Sequence, residues 1–163
     1  ADRVRGVPWL HAGVSRLVTL GWLVWWGGLV AVALATMVDV AAPLSCPISQ
    51  ASCPTPTGEG LLAARRVHEV ASVVVGVGWV AAQLGAFTHT WLPAHGRRLW
   101  PVTRVLTPPV LGLSVVYGLA AGPLDHLGRW HGAAQRLHLL ALLVWFLGIA
   151  VDLWRHRHPR LVA

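Results

Sequence analysis

The chain contains no lysine and only six carboxylate side chains, so charged residues make up just 12% of its 163 positions. That is too little polar surface to close a soluble globule of this length. With lysine absent, all thirteen basic residues are arginines, and they lie between apolar runs instead of forming one dense patch. The net charge of +7 therefore does not mark a nucleic-acid partner, and none is expected. Cysteine is scarce, with only Cys46 and Cys53, which rules out a dense disulfide scaffold. No cleavable signal peptide is expected, because the first long apolar segment has spanning length and lacks a signal-peptidase-like ending. The first helix is expected to target the chain by itself.

What the chain does have is apolar sequence, 55% of all residues, with a mean hydropathy of +0.59. Residues 17–38 carry no charge over 22 positions, about 33 Å of helix at about 1.5 Å per residue, which matches the hydrocarbon thickness of a bilayer. Further spans are expected over 67–87, 105–121 and 133–154. The fold class predicted is all-α, a single polytopic four-helix membrane bundle. Asp39 to Gly60 reads as an ordered outer loop, Thr88 to Arg104 as a basic loop with the anchors Trp91 and Trp100, and Asp152 to Ala163 as a polar tail. Pro108-Pro109 should kink the third span, since proline removes backbone donors.

Arginine distribution sets the expected orientation. Arg3, Arg5, Arg16, Arg97, Arg98, Arg104, Arg155, Arg157 and Arg160 fall on one side, against Arg65, Arg66, Arg129 and Arg136 on the other. The positive-inside rule then makes both termini cytoplasmic, in the plasma membrane of a prokaryote. The loop with Cys46 and Cys53 lies outside, where a disulfide persists. A structural disulfide is the first expectation there; a redox-active pair and two free thiols are the alternatives.

Two apolar runs open alike, Arg65-Arg66-Val67-His68-Glu69 and Gln135-Arg136-Leu137-His138. Ionisable groups just inside a membrane-length segment are costly and need partners. His68 and His138 enter from the same face at similar expected depth, as two axial ligands of one haem iron would. Val75 and Trp79 follow His68 by 7 and 11 positions, and Trp145 and Ile149 follow His138 likewise, so each set shares its histidine's helix face. Trp79 and Trp145 are therefore candidate walls for a porphyrin, with ordinary membrane packing as the plainer role. Gly76, Gly78, Gly112 and Gly118 would permit close approach. Arg65, one turn before His68, and more weakly Arg136, are candidates to hold haem propionates, with snorkelling to headgroups as the alternative. His11 and His89 form a conceivable second haem pair, and His131 is two turns before His138. Solvation is the default for His95, His156 and His158.

This order of features resembles one half of haem A synthase. The resemblance rests on a first helix, an outer loop with Cys46 and Cys53, a second helix opening with Val67-His68-Glu69-Val70-Ala71, a third containing Leu111 to Tyr117, and a fourth opening with Leu137-His138-Leu139-Leu140-Ala141. It spans nearly the whole chain, which is similar to compact, four-helix members of that family. It implies oxidation of the C8 methyl of haem O to the formyl of haem A, with His68 and His138 as axial ligands and haem b as cofactor. Haem O would be the substrate, and a haem O synthase or a terminal oxidase would be the protein partner. A half-sized chain would self-associate to supply both haem sites. The family's glutamate one turn before the second-helix histidine is Arg65 here. Glu69, about 100° round the helix from His68, is the expected proton-handling carboxylate in its place, a salt bridge to Arg65, Arg66 or Arg136 being its structural alternative. A bis-histidine b-type cytochrome that only passes electrons is the competing function, and an accessory bundle without cofactor a third.

Overall fold

The computed structural model describes residues 8–42, 58–92, 100–121 and 130–157. They form four α-helices: α1 (Pro8–Ala41), α2 (Glu59–Trp91), α3 (Pro101–Ala121) and α4 (His131–Arg157). Each is long and apolar enough to cross a membrane, over Gly13–Ala41, Leu62–Trp91, Pro101–Ala121 and Gly132–Arg157. Every helix outlasts its expected span, because a helix does not stop where charge begins when its polar ends reach water or a neighbour. Asp39, expected in a loop, thus lies in α1, and Asp152, where the expected span and polar tail overlap, lies well inside α4. The start of α3 has a local cause: Pro101 takes the first helical position, where a missing N–H costs nothing.

Consecutive helices pack antiparallel. Gly21 of α1 meets Gly85 of α2 while Asp39 meets His68; Trp91 of α2 meets Arg104 of α3; and Thr103 of α3 meets Asp152 of α4 while Ser114 meets His138. The end where α1 and α3 begin and α2 and α4 finish is called proximal below, and the other distal. Buried positions follow alternating steps of three and four: Gly21, Trp25, Gly28, Val32 and Ala35 on α1; Thr103, Thr107, Val110 and Ser114 on α3; His138, Leu142, Trp145, Ile149 and Asp152 on α4. That repeat is the signature of left-handed bundle packing.

The polarity of the bundle is reversed from that of a water-soluble one. Large apolar side chains such as Leu20, Leu34, Val70, Val116, Leu140 and Leu147 face outward, while Gln83, Thr90, Thr103, Thr107, Ser114, His138 and Asp152 are buried. A lipid solvent produces this pattern, because apolar side chains gain nothing from hiding in it whereas polar ones must find partners inside.

The two sides of the bundle differ in chemistry. The α1–α2 interface is glycine-lined: a Cβ on Gly28 would lie 2.6 Å from Ala82 N and 2.7 Å from Gly78 O, and one on Gly85 would overlap Trp25 N and Gly21 O. The α2–α3–α4 side carries the buried polar residues named above. At its proximal end the Pro108 kink site is repaired. Pro108 leaves the carbonyl of Arg104, four residues earlier, without its helical donor, and the Trp91 indole donates to that carbonyl at 3.2 Å.

Candidate functional site

His138 is a buried histidine within a membrane-length helix. Its ring is 7% exposed and lies at a core position of α4, one turn before Leu142 and two before Trp145. From α3, Ser114 Oγ sits 2.9 Å from His138 Nε2, and from α2, Gln83 Nε2 donates to Ser114 Oγ at 3.0 Å. Tyr117, one turn beyond Ser114, stacks on the imidazole with ring centroids 4.8 Å apart and planes 26° from parallel. Three helices thus meet through one hydroxyl. With the Gln83 amide donating to Ser114, the Ser114 hydroxyl can donate to His138 Nε2 in the tautomer that carries its proton on Nδ1. The cost of this arrangement is that Gln83 Oε1, fully buried, has no hydrogen-bond partner. The reverse amide orientation would strand an NH2 instead, and an under-satisfied carbonyl is the commoner compromise.

A second polar cluster lies proximally. The Asp152 carboxylate accepts from Val102 N at 3.2 Å, Thr103 N at 2.7 Å and Thr103 Oγ1 at 2.7 Å, closing the first turn of α3 from a neighbouring helix. Thr107 Oγ1 donates back to Thr103 O, and the Trp145 indole donates to Thr107 Oγ1 at 2.9 Å. Val110, buried between Thr107 and Ser114 on α3, separates this cluster from His138. His138 therefore belongs to the distal half of the bundle.

His68 has a different partner. Its Nδ1 approaches Asp39 Oδ1 of α1 at 2.6 Å, with both side chains 29% exposed. The contact is an ion-pair approach and not a directed hydrogen bond, since Oδ1 receives none. Arg65 Nε donates to Glu69 Oε1 at 2.8 Å, an exposed pair at helical spacing. This is the structural alternative foreseen for Glu69, and such pairs contribute little. Glu69→Gln should therefore change unfolding free energy by no more than about 0.5 kcal/mol, as measured by denaturant titration; a loss several times larger would mean that Glu69 has a partner beyond Arg65.

The two histidines are not brought together. Fifteen positions of continuous helix separate His68 from Gln83, about 22 Å at about 1.5 Å per residue. Gln83 Nε2 is linked to His138 Nε2 by contacts of 3.0 and 2.9 Å through Ser114. Even with the Gln83 and His68 side chains stretched toward each other by about 5 Å apiece, the two Nε2 atoms stay more than about 6 Å apart. Two imidazoles on one iron need about 4 Å, at metal–nitrogen bonds of about 2 Å. The expectation of similar depth fails because α2 is displaced distally relative to α4, so that Gln83 and not His68 stands level with His138. In this arrangement the residues do not fit a bis-histidine haem.

The remaining candidates fall out separately. Trp145 shares the His138 face as expected, together with Ile149, but it packs in the core at 6.4 Å from the Trp25 ring and lines no opening. Trp79 and Val75 are half-buried on α2, with Trp79 edge-on to Phe146 at 5.5 Å. Arg136 is exposed. Of the four glycines singled out, Gly78 alone lies at a close helix approach, while Gly76, Gly112 and Gly118 face open space. His89 contacts Val18 O at 3.4 Å and the Trp25 ring at 6.0 Å, and His156 lies against Trp100. The side chains of His11 and His131, together with His95, His158, Cys46 and Cys53, lie outside the described residues. Among the described residues, no group of three or more His, Cys, Asp or Glu could hold a metal ion.

Gln83, Ser114, Tyr117 and Asp152 are site residues that the sequence alone does not single out. The signal was present in the repeat: Ser114 and Thr107 continue the three–four register of α3, as His138 and Asp152 do on α4, which puts polar side chains in the seam of a membrane helix. No protein-family model, curated protein or solved structure matches the chain.

Proposed function

We propose that this is a multi-pass membrane protein whose working group is His138, a buried imidazole that takes up and releases a proton and thereby rearranges the contacts joining α2, α3 and α4. The observation that carries this reading is the Gln83–Ser114–His138 chain. A neutral imidazole accepts the Ser114 hydroxyl proton at Nε2. Protonated, it becomes a donor at that atom, so Ser114 must turn its own hydroxyl proton away. Gln83 Oε1, lacking a partner in the neutral state, is the acceptor at hand once the amide turns over. One proton is thus coupled to two side chains on two other helices, and Val110 closes the route toward the proximal cluster, so exchange is with the distal side. The arginine distribution supports cytoplasmic termini, which makes that distal side the exterior of the cell.

The haem O oxidation and b-type cytochrome readings drawn from the sequence both place His68 and His138 on one iron, and as arranged these two residues do not form that pair. A second copy of the chain does not remedy this, since His138 is enclosed by Ser114 and Tyr117 within its own bundle. The disagreement has a direct check in purified protein: haem extraction should yield far less than one haem per chain. A stoichiometric haem lost in both His68→Ala and His138→Ala would restore the iron reading and overturn this one.

The proton reading is tested by nitrogen-15 NMR of histidine- and glutamine-labelled protein in lipid nanodiscs between about pH 5 and 8, with assignment by His138→Gln. His138 should titrate with Nε2 unprotonated at the alkaline end, and the Gln83 amide signals should move with it. Ser114→Ala should uncouple the two. Gln83 signals that stay fixed while His138 titrates, or a His138 that never titrates, would sink the proposal.

A further inference from the structure

At the proximal end of the bundle, Arg104 occupies the first turn of α3, about 4.5 Å into the span from Pro101 at about 1.5 Å per residue. It is clasped twice by Trp91, the last residue of α2. Its carbonyl accepts the indole N–H at 3.2 Å, and its guanidinium carbon stands 4.3 Å above the indole ring. The clasp fixes where the charge sits but does not neutralise it. Arg104 Nε is buried and has no hydrogen-bond partner. The Asp152 carboxylate accepts instead from Val102 and Thr103 of the same turn. Among the described residues Arg104 has no anionic partner, the ion pairs being Arg65 with Glu69 and His68 with Asp39.

A guanidinium held rigid, half-buried and short of acceptors at the edge of a membrane span is arranged for an anion that arrives from outside the chain. We propose that Arg104, oriented by Trp91, binds the phosphate of an anionic lipid headgroup. A lipid fits better than a soluble phosphate because the surface beside the site is apolar: Val105 is 70% exposed and Leu92 48%, a wall for acyl chains and not for water. The chemistry matches at both ends, since a guanidinium fork takes phosphate oxygens in paired hydrogen bonds and Trp91 lies where tryptophans anchor spans at the headgroup level. The inference is independent of what His138 does.

The test is thermal unfolding of the delipidated protein in detergent with added phosphatidylglycerol, phosphatidylcholine or inorganic phosphate at equal concentration. Phosphatidylglycerol should raise the midpoint of the wild type by about 3 °C or more, with little effect from the other two. Arg104→Gln should lose the shift, Arg104→Lys should keep part of it as a point charge, and Trp91→Phe should weaken it by releasing the Arg104 carbonyl. Should Arg104→Gln not fold, native mass spectrometry of the wild type decides, with phosphatidylglycerol adducts expected to outlast phosphatidylcholine adducts on activation. Equal shifts from both lipids, or a shift preserved in Arg104→Gln, would overturn the site. An equal response to inorganic phosphate would overturn its assignment to a lipid.

Discussion

Gly85→Val should cost about 3 kcal/mol or more of folding free energy and lower the yield of folded protein. A Cβ at this position overlaps Trp25 N and Gly21 O, both backbone atoms of α1, so no side-chain rotation relieves it. The helices would have to separate along their tightest contact, and Trp25, fully buried against Trp145 and Trp100, would lose its seat. Gly28→Val should behave similarly, since its Cβ would meet Ala82 N at 2.6 Å. The control is Gly76→Val on the same helix as Gly85. Nothing lies within 4 Å of a Cβ there, so any effect should stay within about 0.5 kcal/mol. Denaturant or thermal unfolding in detergent measures all three. Equal losses at Gly85 and Gly76 would show that glycine flexibility, not close packing, matters.

That contrast also shows where the sequence was readable. Four spans and their order follow from apolar run length alone, because lipid imposes one dominant constraint, that the backbone be satisfied within each helix. Which glycines serve packing does not follow, since Gly76 and Gly78 look alike until the partner helix is known. Only the pairing of Gly21 and Gly28 with Gly85 and Gly78, each pair seven positions apart, distinguishes them. The histidines stand out in polarity, but the start of each apolar run is a poor guide to their depth. Depth is set instead by relative sliding of helices, fixed here by the Gln83–Ser114–His138 and Asp39–His68 contacts, and sliding leaves no mark on a single helix. Glu69 and Asp152 make the same point in opposite directions. The carboxylate next to a histidine is an exposed partner of Arg65, and the one assigned to a polar tail is fully buried.

Asp152→Ala should be the most damaging of the polar substitutions, by about 3–5 kcal/mol. A carboxylate with no exposure is tolerated inside a membrane bundle only when its charge is answered. Among the described residues no arginine does so. The answer is the start of α3, whose Val102 and Thr103 N–H groups have no helical acceptors and carry the positive end of the helix dipole. Removing the carboxylate strands both N–H groups and the Thr103 hydroxyl, which still has Thr107 leaning on its carbonyl and Trp145 beyond that. Asp152→Asn keeps one acceptor oxygen but turns an NH2 toward donors, so it should fall between, at about 1–3 kcal/mol. Thr103→Val tests the linkage: combined with Asp152→Ala it should cost clearly less than the two single losses added together, because both delete the same hydrogen bond. Strict additivity in unfolding measurements would mean that Asp152 acts on α3 through its charge alone, and that the network drawn through Thr103, Thr107 and Trp145 does not hold the proximal end together.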